Sequence, residues 1–114
     1  SHIDMENITE VNSNAFLNCT ALTEAAFRKM ETLSYYAFQG CTALKKVFLP
    51  LSAQRILASG YRNSPFYNCT NPALRIFCEA ESQPAGWGQY WNYVESSATL
   101  PVTWGATYQD YLAY

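Results

Sequence analysis

Apolar positions along the first two thirds of the chain recur with a long period, not with the short period of one helix or one strand. The block Ala15-Phe16-Leu17-Asn18-Cys19-Thr20-Ala21-Leu22 returns as Ala37-Phe38-Gln39-Gly40-Cys41-Thr42-Ala43-Leu44, an offset of 22 residues. It returns again, loosened, as Pro65-Phe66-Tyr67-Asn68-Cys69-Thr70-Asn71-Pro72-Ala73-Leu74, where the offset to Phe66 is 28. Apolar residues stand eight and five positions before each Phe: Ile8 and Val11, Met30 and Leu33, and more weakly Ala58 and Tyr61. Repetition at such a period marks a solenoid, in which one unit cannot bury its own apolar face and stacks on its neighbours.

The segment after each block reads as a short strand. In Leu44–Leu49, Val47 and Leu49 point to one side while Lys46 and Phe48 point to the other, and Pro50 ends the ladder. The matching stretches are Leu22–Phe27 and Leu74–Cys78. Stacked units place these strands side by side in a parallel sheet, ~4.8 Å apart. Ser34–Gly40 is too short for more than a turn or so of helix, with Gly40 near its end.

The pattern Ala-Phe-x-x-Cys-x-x-Leu, preceded by spaced Ile, Val or Leu, resembles the BspA-type (treponemal-type) leucine-rich repeat. The tail is similar to the segment often found after the last repeat in that family: Ile76-Phe77-Cys78-Glu79-Ala80-Glu81-Ser82, Pro84-x-Gly86-Trp87, Trp91-Asn92 and Pro101-Val102-Thr103-Trp104-Gly105. The chain departs from the pattern at residues 51–64, which leaves the geometry of the third unit open. The resemblance implies a short α/β solenoid: a small parallel sheet, an irregular or short-helical opposite side, and an aromatic cap. It also implies a secreted or surface-anchored bacterial adhesion or protein-interaction module with no catalytic residues of its own. The expected division is a partial repeat over 1–7, about three units over 8–78, and a capping segment over 79–114.

Composition sharpens this picture. Charged residues make up 14% of 114 and the formal charge is −2. No strong field draws the chain to nucleic acid, and no apolar run is long enough to cross a bilayer. The Phe and Cys residues lie before residue 79, whereas all three Trp lie after residue 86. Every Lys and Arg falls between Arg28 and Arg75. The one His, His2, stands beside Ser1 in what reads as a scar of cloning or a frayed end. No charged start with a following apolar stretch is present. The chain begins inside a unit, at Ile3 or Ile8, with no cap like that of the tail, and so reads as a fragment lacking signal peptide and earlier repeats; the alternative is that an exposed N-terminal edge pairs with another copy.

Four cysteines outside the cell invite disulfides. Cys19, Cys41 and Cys69, however, occupy one position of the repeat, where stacking makes a column, and a free Cys packs as a small apolar residue. The spacings are wrong for zinc, and neither metal nor cofactor is expected. The triplets Asn18-Cys19-Thr20 and Asn68-Cys69-Thr70 match a glycosylation acceptor, as does Asn7-Ile8-Thr9. The first two are simply the repeat, with Asn and Thr serving the turn. No nucleophile–base pair or hydrolase motif occurs; Glu79 and Glu81 share a strand face, more in keeping with a solvated edge than with a glycosidase.

Two surfaces remain as candidates. The first is the outward face of the sheet, where Glu24, Lys45, Lys46, Phe48, Arg75 and Phe77 form an aromatic–basic patch suited to a host, matrix or other surface protein. A cross-strand Phe48–Phe77 ladder is the plainer reading of the same residues. The second is the aromatic tail, where Trp87, Tyr90 and Trp91 offer a sugar platform or, more simply, a plug for the solenoid end. A passive spacer is a third possibility. Tyr108, Tyr111 and Tyr114, spaced by three, form a face that docks back, a partner-binding edge, or a frayed end.

Overall fold

The computed structural model describes residues 2–114, with side chains from Met5 onward. Strands are numbered in chain order. The four-residue extended segments β1 (His2–Met5), β3 (Glu24–Phe27), β5 (Lys46–Leu49) and β7 (Arg75–Cys78) pair in parallel, and β10 (Val102–Trp104) adds a fifth strand beside β7. The register is that of the repeat: Ala25, Val47 and Ile76 are successive partners, as are Ala26, Phe48 and Phe77. A second ladder, β2 (Glu10–Val11), β4 (Thr32–Leu33) and β6 (Arg55–Ile56), runs in parallel on another side of the coil. Between the two ladders, Val11, Phe27, Leu33, Phe38, Val47, Ile56, Phe66 and Ile76 fill one core.

The predicted aromatic column is present. Phe16 and Phe38 lie 5.2 Å apart and Phe38 and Phe66 5.6 Å apart, both pairs within 6° of parallel. The main chain beside them is laddered too: Phe16 N–H donates to Ala37 O at 2.8 Å, and Phe38 N–H to Pro65 O at 2.7 Å. All four cysteines are free. Two of the thiols tie their coil to the previous one: Cys41 Sγ donates to Phe16 O at 3.1 Å and Cys69 Sγ to Phe38 O at 3.0 Å. A thiol fits this role better than Ala or Val because it is small and apolar yet still satisfies a buried carbonyl.

The residue before each Cys of the column has a specific duty. Asn18, Gly40 and Asn68 all take left-handed conformations, with φ of 57°, 75° and 64°. Only Gly and, less readily, Asn adopt that region cheaply, which explains the Asn/Gly alternation and the resemblance to glycosylation acceptors. A Cβ on Gly40 would meet Asn18 Oδ1 at 2.2 Å, so the two turns also pack closely.

One expectation needs correction. In the third unit it is Ile56, paired in register with Leu33, that continues the Val11–Leu33 column. Ala58 and Tyr61 do not; the extra residues leave the ladder after Ile56 and pass through a 3-10 turn at Tyr61–Asn63. The insertion is tolerated there because a surface excursion disturbs no register on either side. Residues 79–104 extend the stack beyond the third unit. They wind one further, degenerate coil: Trp87 bridges to Ile56 in parallel, Val94 O accepts from Asn68 N–H at 3.0 Å, and β10 closes on β7. Added Cβ atoms on Gly86 and Gly88 would meet Gln54 O at 2.2 Å and Ala58 O at 2.6 Å, so the glycines flanking Trp87 permit that close approach. A short antiparallel pair, β8 (Tyr93–Glu95) and β9 (Ala98–Thr99), interrupts this coil. Ser1 lies outside the described residues, whereas the His2 backbone opens β1, opposite Glu24.

Candidate recognition surface

The outward face of the main sheet carries two rows. Glu24, Lys46 and Arg75 are register partners in one; Ala26, Phe48, Phe77 and Thr103 succeed one another in the other. Alternation along each strand dictates this, since Ala25, Val47 and Ile76 face the core. A parallel sheet is stable with both faces covered, and an aromatic row left in water would be a liability.

The C-terminal segment supplies the cover. Helix α1 (Tyr108–Ala113) starts at Thr107, whose hydroxyl accepts from Asp110 N–H at 3.1 Å while the Asp110 carboxylate accepts from Thr107 N–H at 2.8 Å. Six residues do not hold a helix in isolation, so docking maintains it. Tyr111 is wholly buried, with its ring 6.0 Å from both Phe48 and Phe77 in edge-on geometry. Tyr108 packs on Phe48 and Tyr114 on Phe77, both at 5.6 Å. The Tyr114 hydroxyl also donates to Ala73 O. Of the three alternatives for these tyrosines, docking back is the one found.

Lys46 anchors the helix end. Its Nζ donates to Tyr111 O at 3.0 Å and to Tyr114 O at 3.5 Å, and lies 4.5 Å from the centre of the Tyr111 ring. Tyr111 O otherwise takes only the Tyr114 N–H, at 3.3 Å, so a cation there completes its bonding and suits the negative end of the helix dipole. On the rim, the Arg28 guanidinium sits 4.2 Å over the Tyr108 ring and Lys45 Nζ 5.5 Å from that of Tyr114. Burial, with the Glu24 charge and Tyr108 adding to it, pushes the Tyr111 hydroxyl well above its ordinary titration range. That hydroxyl is the one buried side-chain polar atom without a hydrogen-bond partner among the described residues.

The patch read from the sequence is therefore brought together but not left open. Phe48, Lys46 and Phe77 are 1%, 6% and 7% exposed beneath α1. This corrects the expectation that they face solvent, because their own chain provides a better cover than water. Lys45 is exposed, Glu24 and Arg75 partly so. Arg75 turns back on its own strand, donating to Leu74 O at 3.0 Å and Pro72 O at 3.2 Å. Docking back of the tyrosine segment was among the sequence alternatives, but not that Phe48 and Phe77 lie beneath it, although Thr107-x-x-Asp110 is a recognisable helix start.

The tail tryptophans are likewise corrected as a sugar platform. Trp87 and Trp91 are 5% and 2% exposed. Their rings meet at 4.7 Å, and both pack on Trp104. Trp87 Nε1 donates to Ala53 O at 3.0 Å and Trp91 Nε1 to Gln83 Oε1 at 3.1 Å. Tyr90 stays half-buried against Tyr93, at 4.8 Å. Glu79 accepts from Leu51 N–H at 2.7 Å, a structural duty. Among the described residues no three His, Cys, Asp or Glu side chains converge as a metal site, and no helix is long and apolar enough to cross a membrane.

A sequence profile of the BspA type leucine rich repeat region matches residues 1–73, in six copies. The chain belongs to this family. Within the matched residues, the Phe-x-x-Cys column and the parallel strands β1, β3 and β5 are how these BspA-type repeats stack. The fold is one often used for protein interaction or surface roles and is generally non-enzymatic. No curated protein and no solved structure matches the chain.

Proposed function

We propose that this BspA-type chain is a non-enzymatic recognition module of a bacterial surface or secreted protein, and that it binds a host, matrix or other surface protein on the α1 side of its main sheet. One observation carries the reading: cationic and aromatic side chains converge on that side in stacked pairs, Arg28 with Tyr108 and Lys45 with Tyr114. Arg and Tyr are among the side chains most enriched where protein partners bind tightly, and the pairs hold them in place before any partner arrives. Elsewhere the tryptophans of the tail serve the core. Exposed Leu112, on the outer side of α1, extends the surface. The partner contacts are rim contacts made by α1, by Arg28 just after β3 and by Lys45 just before β5, with Phe48 and Phe77 acting as their support.

The test is binding of the full chain to a panel of immobilised purified matrix proteins, with Arg28→Glu and Lys45→Glu introduced together. Both side chains are exposed, so the fold tolerates the change. A partner bound by the unchanged chain is expected to bind the variant at least roughly tenfold more weakly, a difference of about 1.4 kcal/mol. Unaltered binding overturns the assignment of this surface.

A further inference from the structure

The turns of successive coils sit directly on one another as far as the third. Asn18 N–H donates to Gln39 O at 2.7 Å, Gly40 N–H to Tyr67 O at 3.0 Å and Asn68 N–H to Val94 O at 3.0 Å. Past Asn68 the match is lost. Asn71 and Pro72 are extra residues between Cys69 and Leu74, and the next coil is interrupted by the β8–β9 pair. Between these two departures lies a cavity of about 330 Å³, walled by the turn at 69–74 and the stretch 94–101.

The walls are mostly apolar, from Cys69, Pro72, Leu74, Val94, Leu100 and Pro101. They are also pinned. The Asn71 amide is spent within its own wall, donating to Ala43 O at 3.2 Å and accepting from Ala73 N–H at 3.0 Å. Opposite, Asn92 Nδ2 donates to Leu100 O at 3.1 Å and Ile76 N–H to Pro101 O at 3.2 Å. A pre-formed cavity, mostly apolar and with a few polar groups, is what a small ligand needs, and little ordering is lost on binding.

Charge and shape select the occupant. Glu95 is the one charged residue in the lining, and among the described residues its carboxylate has no hydrogen-bond or ion-pair partner. Arg75, after the same turn, is engaged on Pro72 O and Leu74 O and makes no ion pair with Glu95. An anion would meet Glu95 as a like charge. A sugar would find no aromatic face to stack on, since no ring lines the cavity. An aliphatic chain that ends in an ammonium fits both features: its methylenes lie on the apolar walls, and its head meets Glu95 with the Thr70 and Thr99 hydroxyls. We propose that this cavity binds an aliphatic ammonium group, carried by a lysine side chain of a partner protein or by a free alkylamine. The site is separate from the Arg28 and Lys45 surface and does not depend on it.

The probe is n-pentylamine at neutral pH, titrated into the isotope-labelled full chain and followed by amide shifts in the proton–nitrogen correlation spectrum. Saturable shifts are expected at 69–74 and 94–101, with a Kd on the order of 1 mM, and n-pentanol is expected to bind at least roughly tenfold more weakly. Glu95→Gln, at an exposed position that tolerates the change, is expected to bring the amine to the affinity of the alcohol. No saturable shift at those residues, equal binding of pentanol, or amine binding unchanged in Glu95→Gln overturns the proposal. A lysine with both its α-amine and its carboxyl blocked as amides separates the two sources: tighter binding than pentylamine assigns the ammonium to a partner's lysine, weaker binding to a free amine.

Discussion

Replacing Tyr111 by Phe is expected to stabilise the protein. The substitution deletes one oxygen, whose hydroxyl is wholly buried without a partner. Leaving such a group unsatisfied costs about 1–3 kcal/mol, and the unfolded chain, where Tyr and Phe are both solvated, does not share that cost. The ring contacts that hold the position survive: edges at 6.0 Å to Phe48 and Phe77, and the Lys46 ammonium 4.5 Å from the ring centre. The cation–ring attraction persists with Phe, slightly weakened, and takes back part of the gain. The net increase is about 1 kcal/mol, or roughly 4 °C in Tm for a domain of this size. Tyr111→Ala is the companion. Emptying the groove would remove about 3–5 kcal/mol if α1 stayed docked, but α1 is free to undock, so the loss levels off at the docking free energy. The pair is measured by urea denaturation monitored through the tail tryptophans, with hydrogen exchange of α1 as a local readout. An unchanged or lowered midpoint for Tyr111→Phe would refute the claim that the hydroxyl is stranded.

The column and its turns set further outcomes. Phe38→Ala, in the middle of the stack, is expected to cost about 3–5 kcal/mol by denaturation, and Phe16→Ala less because Phe16 is partly exposed at the end of the stack. Gly40→Ala is expected to destabilise by more than about 1 kcal/mol, since φ is 75° and the new Cβ runs into Asn18, whereas Asn68→Gly is near neutral by the same measurement. Iodoacetamide on the folded chain is expected to label Cys19 first and to spare Cys41, Cys69 and Cys78, as read by mass spectrometry; early labelling of Cys69 would contradict the buried column. Burial holds the Cys41 thiol up at about 11 and that of Cys78 at about 12, against an ordinary 9.0. The folded state therefore keeps protons that the unfolded state releases, and stability should hold below pH 9 and fall steadily from there to about pH 12 in denaturation series.

The sequence by itself determined the coil. A repeat that returns Phe, Cys and spaced aliphatics at near-regular intervals leaves one way to bury them all, which is to stack like on like. The Phe16–Phe38–Phe66 column, the free cysteines and the strand faces of β3, β5 and β7 come from that alone. Side-chain alternation even fixed that Lys46 and Phe48 share a side, because direction along a strand is a local property. What covered that side was not local. Residue spacing places Tyr108, Tyr111 and Tyr114 on one face but says nothing of where a six-residue helix goes, and its stability comes from Phe48 and Phe77, both far earlier in the chain. The same holds for Trp87. Its place in the Ile56 column depends on two glycines admitting the close approach of another turn's backbone, a distance that exists only once the coil has closed.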